Sequence, residues 1–526
     1  MQRAVQGAVL ILAASAACSF CFAQNEVTHK LVPGSMAKTA TVDPRFLSYN
    51  VEMVEVMGGR FWAPYKTAST EAAPKPPDPN MPAGIDPKLF QYRKPIDLSN
   101  ARLRKLADAL APAYMRVSGT WANSMYFQDS DAPAPADAPE GFRGVLTRAE
   151  WKGVIDFSHA ADAQIVTSVA ISAGVRNKEG VWTPEQAKAL YDYTRKAGGT
   201  IAATEFMNEP TIPGAGNAPK GYDAAAFARD AKLFGAFVHK ESPKTVYLGP
   251  GGVGEGAEGL ISSRFRMNMI KSDDILKDTG PIFDAFSYHF YGAVSKRCGG
   301  TMTVERALTP EWLDSTDTTE EYYAGLRDKY LPAKQLWLNE TAEAACGGDQ
   351  LAAQFVDTFR FVNQLGTLAS KGVKVVMHNT LAASDYGLLD ESTMEPRPDY
   401  WAGVLWKRMM GTTVLKPESQ ASDSVRVYAQ CMKGVPGGVA IVAMNTDAKS
   451  KHSIAIATPA EKYALTSDSL TSNAVSLNGA VLRANEDGSL PALNSEHVGA
   501  GTIELDPVSI VFLAVPAAKN AACRGK

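Results

Sequence analysis

The chain has 526 residues, 45% of them hydrophobic and 21% charged. That is ordinary globular usage, which excludes wholesale disorder, and at roughly 100–200 residues per domain the length calls for two or three domains. Fifty-three Lys and Arg against 56 Asp and Glu leave a net charge of −3, a balance that argues against a general nucleic-acid binder and disfavours a specialist for highly sulfated polyanions.

The first element is a targeting signal. Arg3 precedes an apolar run from Ala8 to Ala17, and small residues follow up to Ala23. This is the pattern of a secretory signal peptide, residues 1–23, cleaved near Ala23. Cys18 raises a lipoprotein cut as an alternative, although Ser15, Ala16 and Ala17 before it lack the expected leucine. The run is too short to span a bilayer, and no later stretch is long and apolar enough. The reading is a secreted or periplasmic protein without a membrane span, retaining four cysteines: Cys298, Cys346, Cys431 and Cys523. In an exported chain four cysteines permit two disulfides, with three possible connectivities. The chain has only seven histidines, no His-Glu-x-x-His and no zinc-finger cysteine spacing. A protein-bound metal therefore lacks support, and no cofactor is expected.

Short apolar segments then alternate with helical patterns. Strands are expected at Phe46–Met53, Ala113–Ser118, Gln164–Ile171, Thr200–Phe206, Thr245–Pro250, Phe283–His289, Gln335–Glu340 and Val373–Asn379. Each is rich in β-branched or aromatic residues and bounded by polar residues, Gly or Pro. Helices are expected at Leu98–Leu110, Arg148–Asp162, Pro184–Lys196, Ala224–Lys240, Thr318–Tyr330, Asp349–Ser370 and Pro398–Met410, with Ala257–Leu276 ambiguous. Eight strands interleaved with helices predict an α/β fold, a (β/α)8 TIM barrel over residues 40–411. Two Pro-rich insertions, Phe61–Pro95 and Gln128–Leu146, follow strands and fall on the functional face, either as plain surface loops or as walls of the cleft. From residue 412 to 526 the strands are short and separated by turns, which predicts a C-terminal antiparallel β-sandwich, with Glu26–Val32 offering it one further strand.

Catalytic groups of such a barrel belong at the C-terminal ends of its strands. Glu209 ends strand four in Thr204–Pro210, and Glu340 ends strand seven in Leu336–Thr341; an Asn precedes each. Glycoside hydrolysis needs this pair, one carboxyl to protonate the leaving oxygen and one carboxylate to attack the anomeric carbon or activate water. Glu205 and Glu343 are discounted, Glu343 as lying past the strand end and Glu205 as pointing to a different side from Glu209.

Several stretches together resemble glycoside hydrolase family 79, the heparanase and β-glucuronidase family: Asp43–Ser48, Tyr114–Thr120, Asn208–Pro210, Tyr288–Tyr291, Trp337–Thr341, Asp385–Asp390, Arg397–Trp401 and Arg426–Cys431. The resemblance covers nearly the whole mature chain. It implies that Glu209 is the acid/base, Glu340 the nucleophile, and Asn208 the partner of the sugar 2-hydroxyl. It further implies sugar-pocket roles for Glu52 and Thr120, a tyrosine near the nucleophile in Tyr291, and a grip on the glucuronate carboxylate by Tyr386 and the backbone around Gly347. Glu255 falls about where the family has a Gln, and His289 is either pocket wall or core. The run Ala344–Gly348 departs from the family's aromatic and Gly-rich turn. A sandwich disulfide between Cys431 and Cys523 is implied, and Cys298 and Cys346 follow strands six and seven on one face, as a second bridge or as free thiols.

The function read from the sequence is therefore a secreted retaining β-glucuronidase. Its partner is a β-glucuronide-containing glycan; no nucleic acid and no protein partner are inferred. Two alternatives stand beside it: an endo-acting, heparanase-like enzyme, which would need Lys and Arg clusters along an open cleft, and a non-catalytic carbohydrate-binding protein on the same scaffold.

Overall fold

The computed structural model describes residues 27–65, 86–256, 269–417 and 423–524. The expected signal peptide, the middle of the first insertion and part of the ambiguous stretch before residue 276 lie outside them. Eight parallel strands close into a barrel: Leu47–Glu52, Ala113–Ser118, Ala163–Thr167, Ile201–Glu205, Val246–Gly252, Ala285–Val294, Gln335–Ala345 and Val375–His378. Each pairs with the next in chain order, and the eighth returns to the first, Val376 opposite Leu47. The α/β reading and the eight-stranded barrel are borne out. Strands six and seven run five residues or so beyond their expected ends, because their mutual pairing continues past the rim, through Ala293 opposite Ala344.

The helices follow from caps and periodicity. Thr147 and Glu150 form a reciprocal capping box that opens Arg148–Ala160. Thr309 caps a helix that begins at Pro310, well before the expected Thr318, and runs to Tyr330. The expected helix Asp349–Ser370 divides into a 3-10 turn, Gln350–Ala353, and the helix Phe355–Lys371. The ambiguous stretch contains a short helix, Ser272–Thr279.

The second unit is antiparallel, as expected. Its large sheet runs in the order Ala37–Thr41, Met410–Lys416, Val425–Met432, Val439–Asn445, Ser509–Val515, Ala460–Thr466, with short strands at its far edge. A three-stranded sheet packs on it, in which Val27–Leu31 lies parallel to His452–Ile456 and Gly501–Leu505 antiparallel to it. Leu31, Ile441, Ile454, Ile503 and Leu513 form one buried cluster between the two sheets. Ala440, Val442, Met444 and Phe512 face the other way and join the barrel's apolar core, so alternate residues of one strand serve two interfaces. The N-terminal strand Val27–Leu31 agrees with the expected contribution, and Ala37–Thr41 is a second one that the sequence reading did not expect.

Both disulfides are formed, Cys298–Cys346 and Cys431–Cys523. The second closes 92 residues and ties the C-terminal tail to the sheet. Replacing Cys431 and Cys523 together by Ser is expected to lower stability by about 4–5 kcal/mol on the chain-entropy relation. The check is thermal unfolding of the exported, oxidised protein, with mass mapping of non-reduced peptides confirming the linkage in the parent.

Candidate active site

The strand-four sequence stops pairing at Glu205. The next residues turn Phe206 and Met207 into the core and leave Asn208 and Glu209 on a loop at the rim. Glu209 adopts a left-handed backbone, φ 50°, a conformation that costs a non-glycine residue on the order of 1–3 kcal/mol and persists only where neighbours enforce it. Asn123 does so. Its side-chain oxygen accepts from the Asn208 N–H at 2.9 Å, and its amide donates to the Asn208 carbonyl at 3.1 Å.

Glu340 projects from strand seven into the same space. The Tyr291 hydroxyl donates to its Oε1 at 2.7 Å, and the Arg116 Nη1 donates to its Oε2 at 2.6 Å. Asn379 in turn donates to the Tyr291 oxygen at 3.0 Å, which orients the phenol. His289 Nδ1 lies 3.2 Å from Glu209 Oε1 and 3.7 Å from Glu340 Oε2. One atom each of Glu209, His289 and Glu340 lie within 4.8 Å of one another. The sequence reading left His289 between pocket wall and core; it is buried and touches both carboxylates.

Arg116, 1% exposed, is the hub beneath them, and its role was not foreseen. Besides Glu340 it donates from Nε to Glu205 at 2.7 Å and from Nη2 to the Asn208 side-chain oxygen at 2.8 Å. Glu205, discounted from the sequence as pointing elsewhere, therefore lies directly below the site, where Asn339 also donates to it at 2.6 Å. Glu343 lies inside strand seven rather than past its end. It stays outside the cluster, accepting the Asp349 N–H at 3.0 Å, with its carboxyl pushed up to about 8 by burial and the neighbouring Asp357.

The electrostatics separate the two carboxyls. Glu209 is raised, chiefly by burial, with the Glu340 charge adding to it against the His289 hydrogen bond. Burial pushes Glu340 up as well, but the His289 and Arg116 charges and the hydrogen bonds from Tyr291 and Arg116 outweigh it and leave Glu340 lowered. Burial also opposes the charge on His289, yet Glu340, Glu205 and Glu209 raise it to about 9. Glu205 is held at about 2, its burial overcome by Arg116 and His289. At neutral pH two cations thus face two anions, Glu205 and Glu340, while Glu209 is the carboxyl placed to keep a proton. The same charges make a poor cage for a metal cation, since Arg116 and protonated His289 already occupy the carboxylates.

Around this centre the other expected residues fall as follows. Glu52, buried at the end of strand one, is raised by burial and then by Glu340, and its Oε2 has no hydrogen-bond partner. A Cβ on Gly119 would fall 1.6 Å from that oxygen, so the glycine in Tyr114–Thr120 is there to admit the carboxyl. Thr120 follows at the start of a 3-10 turn. Gly347, φ 78°, sits between Cys346 at 64° and Gly348 at 80°. A Cβ on Gly347 would meet Trp62 at 2.5 Å, so the described start of the first insertion packs against this turn. Gly348 packs on Tyr386, whose Cβ lies 3.0 Å from where its own would be. Among the described residues no hydrogen bond uses the N–H of Gly347 or Gly348 or the Tyr386 hydroxyl.

Glu255 is not brought into the cluster. Its Oε1 accepts the Ser272 N–H at 2.9 Å, its Oε2 accepts the Ser272 hydroxyl, and Tyr322 and Tyr323 donate to it. Both oxygens are occupied in tying its loop to the helix Ser272–Thr279, a different task from the sugar contact expected of it.

A (β/α)8 barrel carrying two glutamates at its rim, Glu209 half-buried on the loop after strand four and Glu340 buried within strand seven, defines the class: the protein is a glycoside hydrolase. The chain belongs to glycosyl hydrolase family 79, whose N-terminal-domain model matches residues 94–366. It is 27% identical to heparanase of Bos taurus over 501 residues, covering 83% of this chain and 87% of that protein. It is 25% identical to baicalin-beta-D-glucuronidase of Scutellaria baicalensis, covering 80% and 84%. In fold it is similar to a 4-O-alpha-L-rhamnosyl-beta-D-glucuronidase from Fusarium oxysporum, TM-score 0.64 at 11% identity, over 93% of this chain and all of that one. No helix among the described residues is long and apolar enough to cross a membrane.

Proposed function

We propose that the protein is an exported, retaining β-glucuronidase. Glu209 is the acid that protonates the glycosidic oxygen, and Glu340 is the nucleophile that attacks the anomeric carbon. Glu209, now a base, then deprotonates the water that releases glucuronic acid. The observation that carries this reading is the distance: an oxygen of Glu209 and one of Glu340 lie within 4.8 Å. Retaining enzymes hold their carboxyls about 5–5.5 Å apart, and inverting ones leave room for a water at roughly 6.5–9.5 Å. The opposed pKa directions support the same division of labour. Once the glycosyl-enzyme forms, the Glu340 charge is gone, one cause of the raised Glu209 pKa disappears, and Glu209 becomes able to act as the base.

Asn208 is the proposed partner of the 2-hydroxyl, its side-chain oxygen held by Arg116, and the free Glu52 oxygen and Thr120 the partners of other hydroxyls. The unused N–H groups of Gly347 and Gly348, with the Tyr386 hydroxyl, are the proposed receptor of the C6 carboxylate. Neutral donors suffice there, because hydrogen bonds to a charged acceptor are roughly twice as strong as neutral ones. Two disulfides support folding in an oxidising compartment.

The test is a β-glucuronide against a β-glucoside with the same leaving group. The glucoside leaves the carboxylate donors without an anionic acceptor, and sites built for a polar group reject the analogue lacking it. The expected preference in kcat/KM is at least about a hundredfold, on the order of 2.7 kcal/mol. Comparable values on the two sugars would overturn the uronide assignment and leave the two-glutamate mechanism standing.

A further inference from the structure

Arg297 follows strand six, in the 3-10 turn Lys296–Cys298. Its side chain is 6% exposed, and it reaches three other rim loops. From Nη2 it donates to Asp385 Oδ2 at 2.6 Å and to the Gly348 carbonyl at 3.4 Å. From Nη1 it donates to the Ala63 carbonyl. Its backbone N–H donates to the Tyr65 hydroxyl at 3.2 Å, and the guanidinium lies 4.1 Å from the centre of the Tyr65 ring. The loops after strands one, six, seven and eight therefore meet on one buried side chain.

Two of these contacts adjoin the groups assigned to the sugar carboxylate. Asp385 precedes Tyr386, and Gly348 follows Gly347. Cys298, next to Arg297, is bonded to Cys346, which precedes Gly347. The turn bearing the backbone donors is thus held covalently on one side and by the guanidinium on the other.

We propose that Arg297, anchored on Asp385, is a positioning residue that fixes the Gly347–Gly348 turn and Tyr386 relative to each other, and so sets the preference for a uronide. This rests on the β-glucuronidase reading above. Arg297 does not itself present a charge to the substrate: its Nη atoms are occupied, Asp385 pairs with it, and its remaining Nε is buried. Displacing a binding group by about 1 Å can cost on the order of 100-fold, so a loosened corner is read as lost discrimination.

The experiment uses Arg297→Lys and Asp385→Asn in the full exported protein, each measured on the aryl β-glucuronide and β-glucoside. Lys keeps the charge and loses the planar fork that joins Asp385 to Gly348. The expected result for Arg297→Lys is at least a tenfold rise in KM for the glucuronide, a much smaller change in kcat, and at least a tenfold fall in the glucuronide-to-glucoside ratio of kcat/KM. Asp385→Asn is expected to lower the ratio as well. If Arg297 instead contacted the carboxylate directly, freeing it from Asp385 would raise glucuronide affinity, and that result overturns the proposal. So does a ratio within about twofold of the parent in both variants, including the case where both sugars slow together as in a general loss of folded enzyme. An unmutated enzyme with no uronide preference would overturn the β-glucuronidase reading itself, and this inference with it, which the parent measurement shows before any variant is made.

Discussion

Glu340→Gln lowers kcat on an aryl β-glucuronide by at least about a thousandfold, on the order of 4 kcal/mol. The amide has nearly the shape of the carboxylate but cannot form the glycosyl ester, so the first chemical step of the proposed mechanism has no covalent route. A good leaving group does not rescue it, because protonation of the leaving oxygen is not what is missing. The substitution also leaves the Arg116 guanidinium, 2.6 Å away in the parent, without that anion. Circular dichroism and thermal unfolding therefore accompany the kinetics, to show that folded protein is being assayed. Retention of more than a few per cent of the parent kcat would remove Glu340 from the nucleophile's role.

Glu209→Gln is expected to behave differently, and the difference identifies the acid. With an alkyl or other poor leaving group the rate falls by about 10²–10⁴, the usual worth of a positioned proton donor. With an activated aryl leaving group the first step needs little protonation. The enzyme then loads and stalls for want of a base, giving a burst of phenol equal to the enzyme present and a glycosyl adduct by mass spectrometry. The pH profile supplies an independent check. Because the Glu209 pKa is raised, its acid form persists above the ordinary carboxylate range, and activity in the parent declines as pH rises through that raised value. Glu209→Gln removes this alkaline limb for the activated substrate. Equal losses on good and poor leaving groups, with no burst, would mean that Glu209 is not the acid.

The barrel was legible because its strands are rich in β-branched and aromatic residues, largely buried on both faces, and bounded by polar residues, Gly or Pro, even though Leu47–Glu52 carries Ser48, Asn50 and Glu52. Ala37–Thr41 was not, since all five of its Ala-Lys-Thr-Ala-Thr residues are exposed or half-buried and the strand carries no hydrophobic pattern to detect. The two glutamates were visible because each lies near the C-terminal end of a barrel strand in a distinctive local sequence, Glu209 just past the paired part of strand four and Glu340 within strand seven. The layer below them was not. Strand alternation gives no ground for discounting Glu205, since residues four apart share a face; in the structure pairing stops at Glu205 and Glu209 takes a left-handed backbone, so no period relates the two orientations. Arg116 stood in plain view inside an apolar strand, a placement that itself signals a buried ion pair. Its partners come from strands four and seven, and no local pattern names them. Glu255 was placed by a loose match in a loop, where a carboxylate that caps a helix cannot be told from one that faces a cleft.

The antiparallel unit is built from both ends of the chain. Thr41 pairs with Thr413, and Val27–Leu31 lines up with His452–Ile456. During synthesis at about 5–20 residues per second, roughly 370 residues separate the emergence of Thr41 from that of its partner, a wait of about 20–75 s. Throughout that interval two N-terminal strands carry open edges, which are ready templates for pairing with another nascent chain. The polar, Lys- and Thr-bearing edge of Ala37–Thr41 is suited to that exposure, and the long wait makes the barrel a guest threaded into a host that closes last. Cutting the gene at the apparent boundary near residue 412 would therefore not yield two autonomous folding units, since one product would carry two strands that belong to the other.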